Sequence, residues 1–460
     1  MSVVTSFSEY VVGTSFKTLP REAIEPTKKQ ILDTLGCAAA GASHQVVEPV
    51  ADLFKEWGGK PEATIISYGG RVPCMQAALV NGFLAGVTDF DDYNDTDFPH
   101  TSRQNVPAAF AMAERLGNVS GKEFMTAVAI GYDITCRLSR GVHLHFDAGW
   151  YWDPSTLFSF FGCAAASGKL LHLNQQQVVN SFGLALQQAN GLLEGIHAGM
   201  NSKGLHAGRA AAGGIFAALL AERGLAGTTD PLQGNRGLFD IFFHNVYSEP
   251  MITVDLGKVF AAKTSAFKPY PCCGFNGTTI DATLALVKEH NIKAQDVVEV
   301  NVQGGRNMCR QSEPRENKIH PASPVASEFS IPWAAAVAIV HGKVGIDNFT
   351  EEAIHNDKKV IALAPKVNFK LNPEFNTCED YEPALVAIKL QNGKVYSKLA
   401  AVRYGHWKNP MKWEAIVEKF KYCCSFAAKP ISTRKVNTVI KMVEDLEKVP
   451  DVSQIIRQLG

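Results

Sequence analysis

Three consecutive stretches decide how this chain reads: the apolar run Ala77-Ala78-Leu79-Val80-Asn81-Gly82-Phe83-Leu84-Ala85-Gly86-Val87, the polar crossing Thr88-Asp89-Phe90-Asp91-Asp92-Tyr93-Asn94-Asp95-Thr96-Asp97-Phe98-Pro99-His100, and the second apolar run Val106-Pro107-Ala108-Ala109-Phe110-Ala111-Met112-Ala113-Glu114. The flanks have the composition of buried helices, so a loop with five aspartates, a tyrosine and a histidine joins two core elements. A solvated connection, or aspartates capping the next helix, accounts for Asp95 and Asp97. It does not account for Asp89 and His100 at the two ends of one crossing, where a carboxylate and an imidazole at the mouth of a helical core are what proton transfer needs.

Outward from this stretch the first half continues as helices. Ile31, Leu32, Leu35 and Ala38 or Ala39 share one face of a helix ending at Gly41, and Phe124, Val128, Ile130 and Ile134 make a buried stripe over 123–138. Ala63 to Tyr68, closed by Gly69-Gly70, is the one strand-like piece before the acidic loop. Small residues crowd Gly162 to Gly168 and Ala210 to Gly214, which lets helices approach closely. After about residue 265 the pattern changes. Val297 to Val302, Lys366 to Leu371 and Ala384 to Leu390 read as strands, and Gln391-Asn392-Gly393 signals a hairpin into Val395 to Leu399. Helical patterns over 278–290, 333–340 and 351–363 are interleaved with them, and helix returns over 413–422 and 436–447. The fold class expected is mainly α: a large helical domain from residues 1–264 with 403–460, built from both chain ends, and a smaller inserted α+β domain over 265–402.

Composition excludes several functions. The 460 residues carry 45 basic and 45 acidic side chains, so no basic excess is available for nucleic acid or an anionic membrane surface. No stretch approaches the roughly 20 apolar residues of a membrane span, and the N-terminus lacks a signal core; a cytoplasmic location is the expectation. The ten cysteines show no C-x-x-C pair, and the adjacent Cys272-Cys273 and Cys423-Cys424 suit neither a tetrahedral metal site nor an unstrained disulfide. Reduced thiols and no metal are expected.

Two more polar segments point to a site. In Asn201-Ser202-Lys203-Gly204-Leu205-His206-Ala207-Gly208, Lys203 and His206 sit where a loop enters an Ala-rich helix, a position suited to clamping a carboxylate or phosphate. In Ser265 to Gly277, prolines and glycines stiffen a turn that places Lys268 at the domain boundary. Cys273 follows, but nothing pairs it with a histidine, so a structural thiol is the better assignment than a nucleophile.

With these segments in hand, the chain resembles the MmgE/PrpD family over nearly its whole length. The resemblance rests on Leu32-Asp33-Thr34-Leu35-Gly36-Cys37-Ala38-Ala39-Ala40-Gly41, on Asn81-Gly82 leading to Asp89-Phe90-Asp91-Asp92, on Lys203 to Gly208, on Phe267-Lys268-Pro269-Tyr270-Pro271-Cys272-Cys273 and on Phe329-Ser330-Ile331-Pro332-Trp333. It implies a homodimer and chemistry on a di- or tricarboxylic acid without metal or organic cofactor. It places Asp89, His100, Lys203 and Lys268 in the active site. Four positions depart from the decarboxylase-like pattern: Tyr93 stands for a threonine, Asp153 in Gly149-Trp150-Tyr151-Trp152-Asp153-Pro154 for a histidine, Cys273 for a histidine common in such members, and Trp333 for a tyrosine. Asp153 is therefore a candidate second acid or base, and Tyr93, His206, Cys273 and Trp333 are candidate substrate contacts. His143, His145 and His197 are candidates for the missing imidazole.

The chemistry implied is proton removal next to a carboxylate, with lysines stabilising the dianionic enolate. A dehydratase, a decarboxylase, an epimerase or isomerase, and a catalytically silent carboxylate binder all fit. Asp89, His100, Lys203 and Lys268 are expected to converge in a cleft between the domains. Methionine at Lys203 or Lys268 should then cost about ten-fold in binding or turnover and leave the thermal midpoint nearly unchanged.

Overall fold

Close packing of small residues brings two helix ends together and thereby founds the site. The computed structural model describes residues 1–142, 152–376 and 383–460, so His143 and His145 fall outside the described residues. Helix Cys74–Val87 runs antiparallel to helix Lys203–Glu222, with Leu79 beside Gly208 and Val87 beside Gly204. A Cβ on Gly208 would stand 2.1 Å from the Leu79 carbonyl oxygen, and one on Gly82 would stand 2.9 Å from Gly208 Cα. Only glycine allows this approach. The C-terminal end of the first helix therefore meets the N-terminal end of the second. Helix Lys203–Glu222 is, by length and composition, apolar enough to cross a membrane, contrary to the expectation that no stretch would be. Its apolarity is used inside the protein, since 72% of the relevant window is buried.

Around this pair, Arg21–Ala40, Ser102–Leu116 and Gly121–Val142 supply Leu35, Phe110 and Phe124 to one hydrophobic cluster. The C-terminal helices Trp413–Cys424 and Thr433–Glu444 contribute Phe420 and Val439 to the same cluster. Each such side chain contributes about 1.5–3 kcal/mol over its exposed state. A second cluster joins the N-terminal Phe7 to Ile134, Phe158, Phe161 and Phe182. A third belongs to the later residues, with Ile280, Val300, Val302, Val337 and Ile388 at its centre.

That third core is covered by a four-stranded sheet in the order β6-β5-β7-β8, from Val367–Leu371, Val297–Gly304, Ala384–Leu390 and Val395–Ala400. β5 is parallel to β6 and antiparallel to β7, and β7 and β8 form the hairpin, with Gly393 at φ +81° in the turn. Helices Gly277–His290 and Ile331–His341 complete this part. Two local expectations change. The helix read over 351–363 is two helices, Glu351–Asn356 and Lys358–Leu363, because the Asp357 side chain accepts the Val360 N–H and starts a new one. The strand-like Ala63–Tyr68 pairs only over Ala63–Thr64 (β1), with Arg71–Val72 (β2), because Ser67 turns the chain at φ 68°.

The acidic crossing is buried, not a solvated connection. Asp91, Asp92, Asn94 and Asp95 are fully inaccessible, and Asp97 nearly so. Asp95 binds Arg403 at 2.5 Å and the Trp407 N–H at 3.1 Å; Asp97 takes Arg140 through Nε and Nη2, both at 2.8 Å. Buried carboxylates persist when paired and hydrogen-bonded in this way. Neither aspartate caps the following helix, which begins at Ser102 after Thr101. Tyr93–Asn94 (β3) pairs antiparallel with Ser265–Ala266 (β4), Tyr93 opposite Ala266, and this short ladder draws the crossing against the segment that carries Lys268.

Candidate active site

Each charged residue of the site stands at an element's end. Asp89 follows the last turn of Cys74–Val87 and is left-handed, φ 49°, a conformation aspartate tolerates better than most residues. Lys203 is the first residue of Lys203–Glu222. A cation at a helix N-terminus opposes the helix dipole, so Lys203 needs local anions, and it has two: Asp89 Oδ1 at 3.3 Å and Glu328 Oε2 at 2.5 Å. Lys268 Nζ donates to Asp89 Oδ2 at 2.7 Å and to the Asp89 carbonyl at 2.8 Å. Asp89, Lys203, Lys268 and Glu328 are all nearly inaccessible.

Beside this cluster lies a second one. His100 Nδ1 is 2.8 Å from Asp91 Oδ2, and Arg103 Nη1 reaches the same oxygen at 3.5 Å. The His100 ring centroid is 5.4 Å from that of Tyr93, and the Lys268 ammonium is 5.9 Å from the Tyr93 centroid. A small crevice lined by Tyr93, Lys268, Cys273 and Arg403 opens next to them.

Electrostatics divides the carboxylates. Burial acts to raise Asp89, but Lys203 and Lys268 outweigh it and hold the group well below the usual carboxylate range. Asp91 is likewise held low against burial by Arg103 and His100. Burial drives Glu328 the other way, to about 7, although Lys203 opposes it. Burial also lowers His100, against the pull of Asp91, and lowers His44 to about 4, helped by Lys203. Both imidazoles are therefore held toward the neutral form.

The remaining candidates take up distinct positions. Asp153 caps helix Pro154–Leu170, accepting the Ser155 N–H at 3.0 Å and the Thr156 hydroxyl at 2.5 Å, so its oxygens are engaged in capping. His206 lies one turn into Lys203–Glu222; its Nδ1 is buried without a hydrogen bond among the described residues, and burial lowers its pKa. Cys273 is beside the lysines, and burial with the Asp89 charge pushes its thiol up to about 11, so it stays protonated. Trp333 is 1% exposed in the third hydrophobic core and gives its indole N–H to the Asn348 carbonyl at 3.0 Å. The side chain of His197, on the Glu194–His197 turn, is outside the described set.

Sequence reasoning missed Asp91, Arg103, His44 and Glu328. Two signals were available: Arg103 follows His100 by three residues, and Glu328 directly precedes the Phe329 to Trp333 motif. Among the described residues, no group of three His, Cys, Asp or Glu side chains is placed to hold a metal ion.

A helical body from both chain ends, a sheet-bearing second part and lysines meeting an Asp-rich loop define a class that comparison with known families bears out. The chain belongs to the MmgE/PrpD family: the MmgE/PrpD N-terminal domain matches residues 5–249 and the MmgE/PrpD C-terminal domain residues 270–447. Among individual proteins it is similar to cis-aconitate decarboxylase of Homo sapiens, 27% identical over 465 residues covering 98% of this chain and 93% of that one. It is also similar to the Mus musculus enzyme of that name, 26% identical with coverage of 100% and 93%, and to that of Aspergillus terreus, 25% identical with coverage of 96% and 92%.

Proposed function

We propose that this protein is a lyase that acts on a di- or tricarboxylic acid by moving a proton at the carbon next to a carboxylate. The observation that carries this is the Asp91–His100 pair at 2.8 Å beside two buried lysines on one carboxylate. With Asp91 ionised, the shared proton sits on His100 Nδ1, which leaves the Nε2 lone pair free to act as a base. The side chain of His100 is 22% exposed, so the ring is not sealed from the site. Removing the proton turns the neighbouring carboxylate into a dianionic enolate, and the field of Lys203 and Lys268 favours that charge in a water-poor setting.

From the enolate, loss of a β-hydroxyl as water, with a proton supplied by the protein, gives an unsaturated acid. In the decarboxylating direction no carbon-bound proton is removed first: carbon dioxide leaves, its bonding electron pair stays on the substrate's carbon skeleton as an enolate, and His100, having taken up a proton from solvent, delivers it to carbon. Asp89 is the counter-ion that fixes both ammonium groups rather than the base, because a carboxylate held so far below its usual range is a weak proton acceptor. The relatives' names favour decarboxylation among these outcomes. The family resemblance also supports a homodimer.

The test incubates the protein with a panel of di- and tricarboxylic acids, cis-aconitate included, in deuterated water and follows deuterium uptake, water loss and carbon dioxide release by NMR. Turnover or exchange that disappears in His100→Gln supports the assignment. Exchange with reprotonation on the opposite face and no bond cleavage would make the protein an epimerase. No exchange, dehydration or decarboxylation with any acid would refute it.

A further inference from the structure

Lys203 is a candidate cation for a substrate carboxylate, yet two of its three donors are engaged within the protein. An ammonium has three N–H groups. Here the nitrogen faces Glu328 Oε2 at 2.5 Å and Asp89 Oδ1 at 3.3 Å, and lies 4.8 Å from the Phe329 ring centroid. Anions take two of the three, so an incoming carboxylate shares Lys203 with Asp89 and Glu328 or displaces one of them. Asp89 is the harder to move, because Lys268 grips both its side chain and its carbonyl. Glu328 has a single strong side-chain partner, with His44 Nε2 the next group at 3.9 Å. Its main chain is fixed, however: the Glu328 carbonyl accepts the Cys273 N–H and the Asn276 amide, each at 3.0 Å, so the carboxylate is delivered to Lys203 by rigid backbone.

The charge count points the same way. Lys203, Lys268 and Arg103 face Asp89 and Asp91, which leaves one positive charge for a ligand, and an ionised Glu328 cancels it. With Glu328 ionised, the Lys203 position already holds a carboxylate of the protein, so a substrate carboxylate directed there competes with it, which disfavours the acid that carries one carboxylate more.

We infer that Glu328 is a specificity-determining residue whose carboxylate fills the Lys203 subsite, so that this site selects dicarboxylates over tricarboxylates. The inference rests on the proposal that the site binds carboxylic acids at all. The groups facing Glu328 are Lys203 from its helix, Asp89 and Lys268 from their loops, His44 and the Cys273 thiol. Of these, Glu328 itself changes charge near neutrality, since burial raises it to about 7, while His44 is lowered to about 4 and Cys273 raised to about 11. Protonation below that point removes the competing anion, and ionisation above it restores the block.

The experiment measures binding of succinate and tricarballylate, as unreactive di- and tricarboxylate probes, by calorimetry at pH 6 and pH 8. At pH 8 the unaltered protein should bind succinate about ten-fold or more tighter than tricarballylate. Glu328→Gln, which keeps the shape and deletes the charge, should tighten tricarballylate by about ten-fold and change succinate by less than about three-fold. In the unaltered protein the preference for succinate should narrow from pH 8 to pH 6, and in Glu328→Gln it should not move with pH. The pH comparison needs no variant, so it stands even if the substitution impairs folding. An unchanged ratio of the two affinities in the variant, or a preference in the unaltered protein that is independent of pH, would overturn the role of Glu328 while leaving carboxylate binding intact. Failure of either protein to bind either probe would overturn both.

Discussion

Lys268→Met separates what the site does for the fold from what it does for chemistry. Lys268 is 2% exposed and holds Asp89 Oδ2 at 2.7 Å and the Asp89 carbonyl at 2.8 Å. Methionine keeps most of the stem and leaves a buried carboxylate with one of its two cations. Removing one partner of a buried ion pair costs about 3–5 kcal/mol, and Lys203 at 3.3 Å places this case near the lower end, at about 3 kcal/mol. Unfolding entropy of about 2.1 cal/mol/K per residue is roughly 1 kcal/mol/K for a chain of this length, so the midpoint should fall by about 3 °C if unfolding is cooperative. The sequence alone suggested an unchanged midpoint; burial of the pair is the reason for the revision. Asp89→Asn in the same background should recover about 2 kcal/mol of the loss, because the uncompensated charge is gone, while deuterium exchange stays at least about ten-fold down. Thermal and urea unfolding of the four proteins of the cycle, with exchange rates per folded molecule, provide the measurement. A Lys268→Met cost below about 1 kcal/mol, or a double variant whose losses add, would refute the buried-pair account. Full exchange activity in the double variant would refute the catalytic one.

Further outcomes can be checked alongside. Asp91→Asn should shift the tautomer of His100 and lower kcat by about 10²-fold or more with a smaller effect on KM, as steady-state kinetics would show; an unchanged kcat removes Asp91 from the mechanism. Lys419→Met should disturb the acidic crossing from the far end of the chain, since Lys419 Nζ bonds the Phe90 carbonyl at 2.6 Å and Asp33 at 2.7 Å; a loss of about 3 kcal/mol in urea unfolding is expected, and a neutral result would show that the loop holds itself. Cys273, its thiol raised to about 11, should react with iodoacetamide at pH 7.5 at least about ten-fold more slowly than a free cysteine, which mass spectrometry of the labelled peptide would read; fast labelling would contradict a neutral, half-buried thiol. Turnover should persist after dialysis against EDTA, because no cysteine or histidine spacing in the sequence makes a metal site; a loss restored by one divalent metal would reverse that expectation.

Local information carried much of the fold. The strands Val297–Gly304, Val367–Leu371 and Ala384–Leu390 and the turn at Gly393 were legible because alternation and turn chemistry are set within a few residues. The helical stripes around Leu35 and Ile130 were legible for the same reason. Lys203, Lys268, Asp89 and His100 stood out as polar residues at the borders of apolar runs. What they bond to was not legible. Asp95 reads as a solvated loop residue until Arg403 arrives from more than 300 positions away, and Glu328 has no meaning beside Phe329 until helix packing sets Lys203 against it. Trp333 shows the converse: a position matched to a motif, whose side chain the third core claims. Spacing along the chain determines which face a residue shares, but the protonation and role of a buried charge depend on the charges that packing places within a few ångströms. Those partners, and with them the division of labour between Asp89, Asp91 and Glu328, were decided only in the tertiary structure.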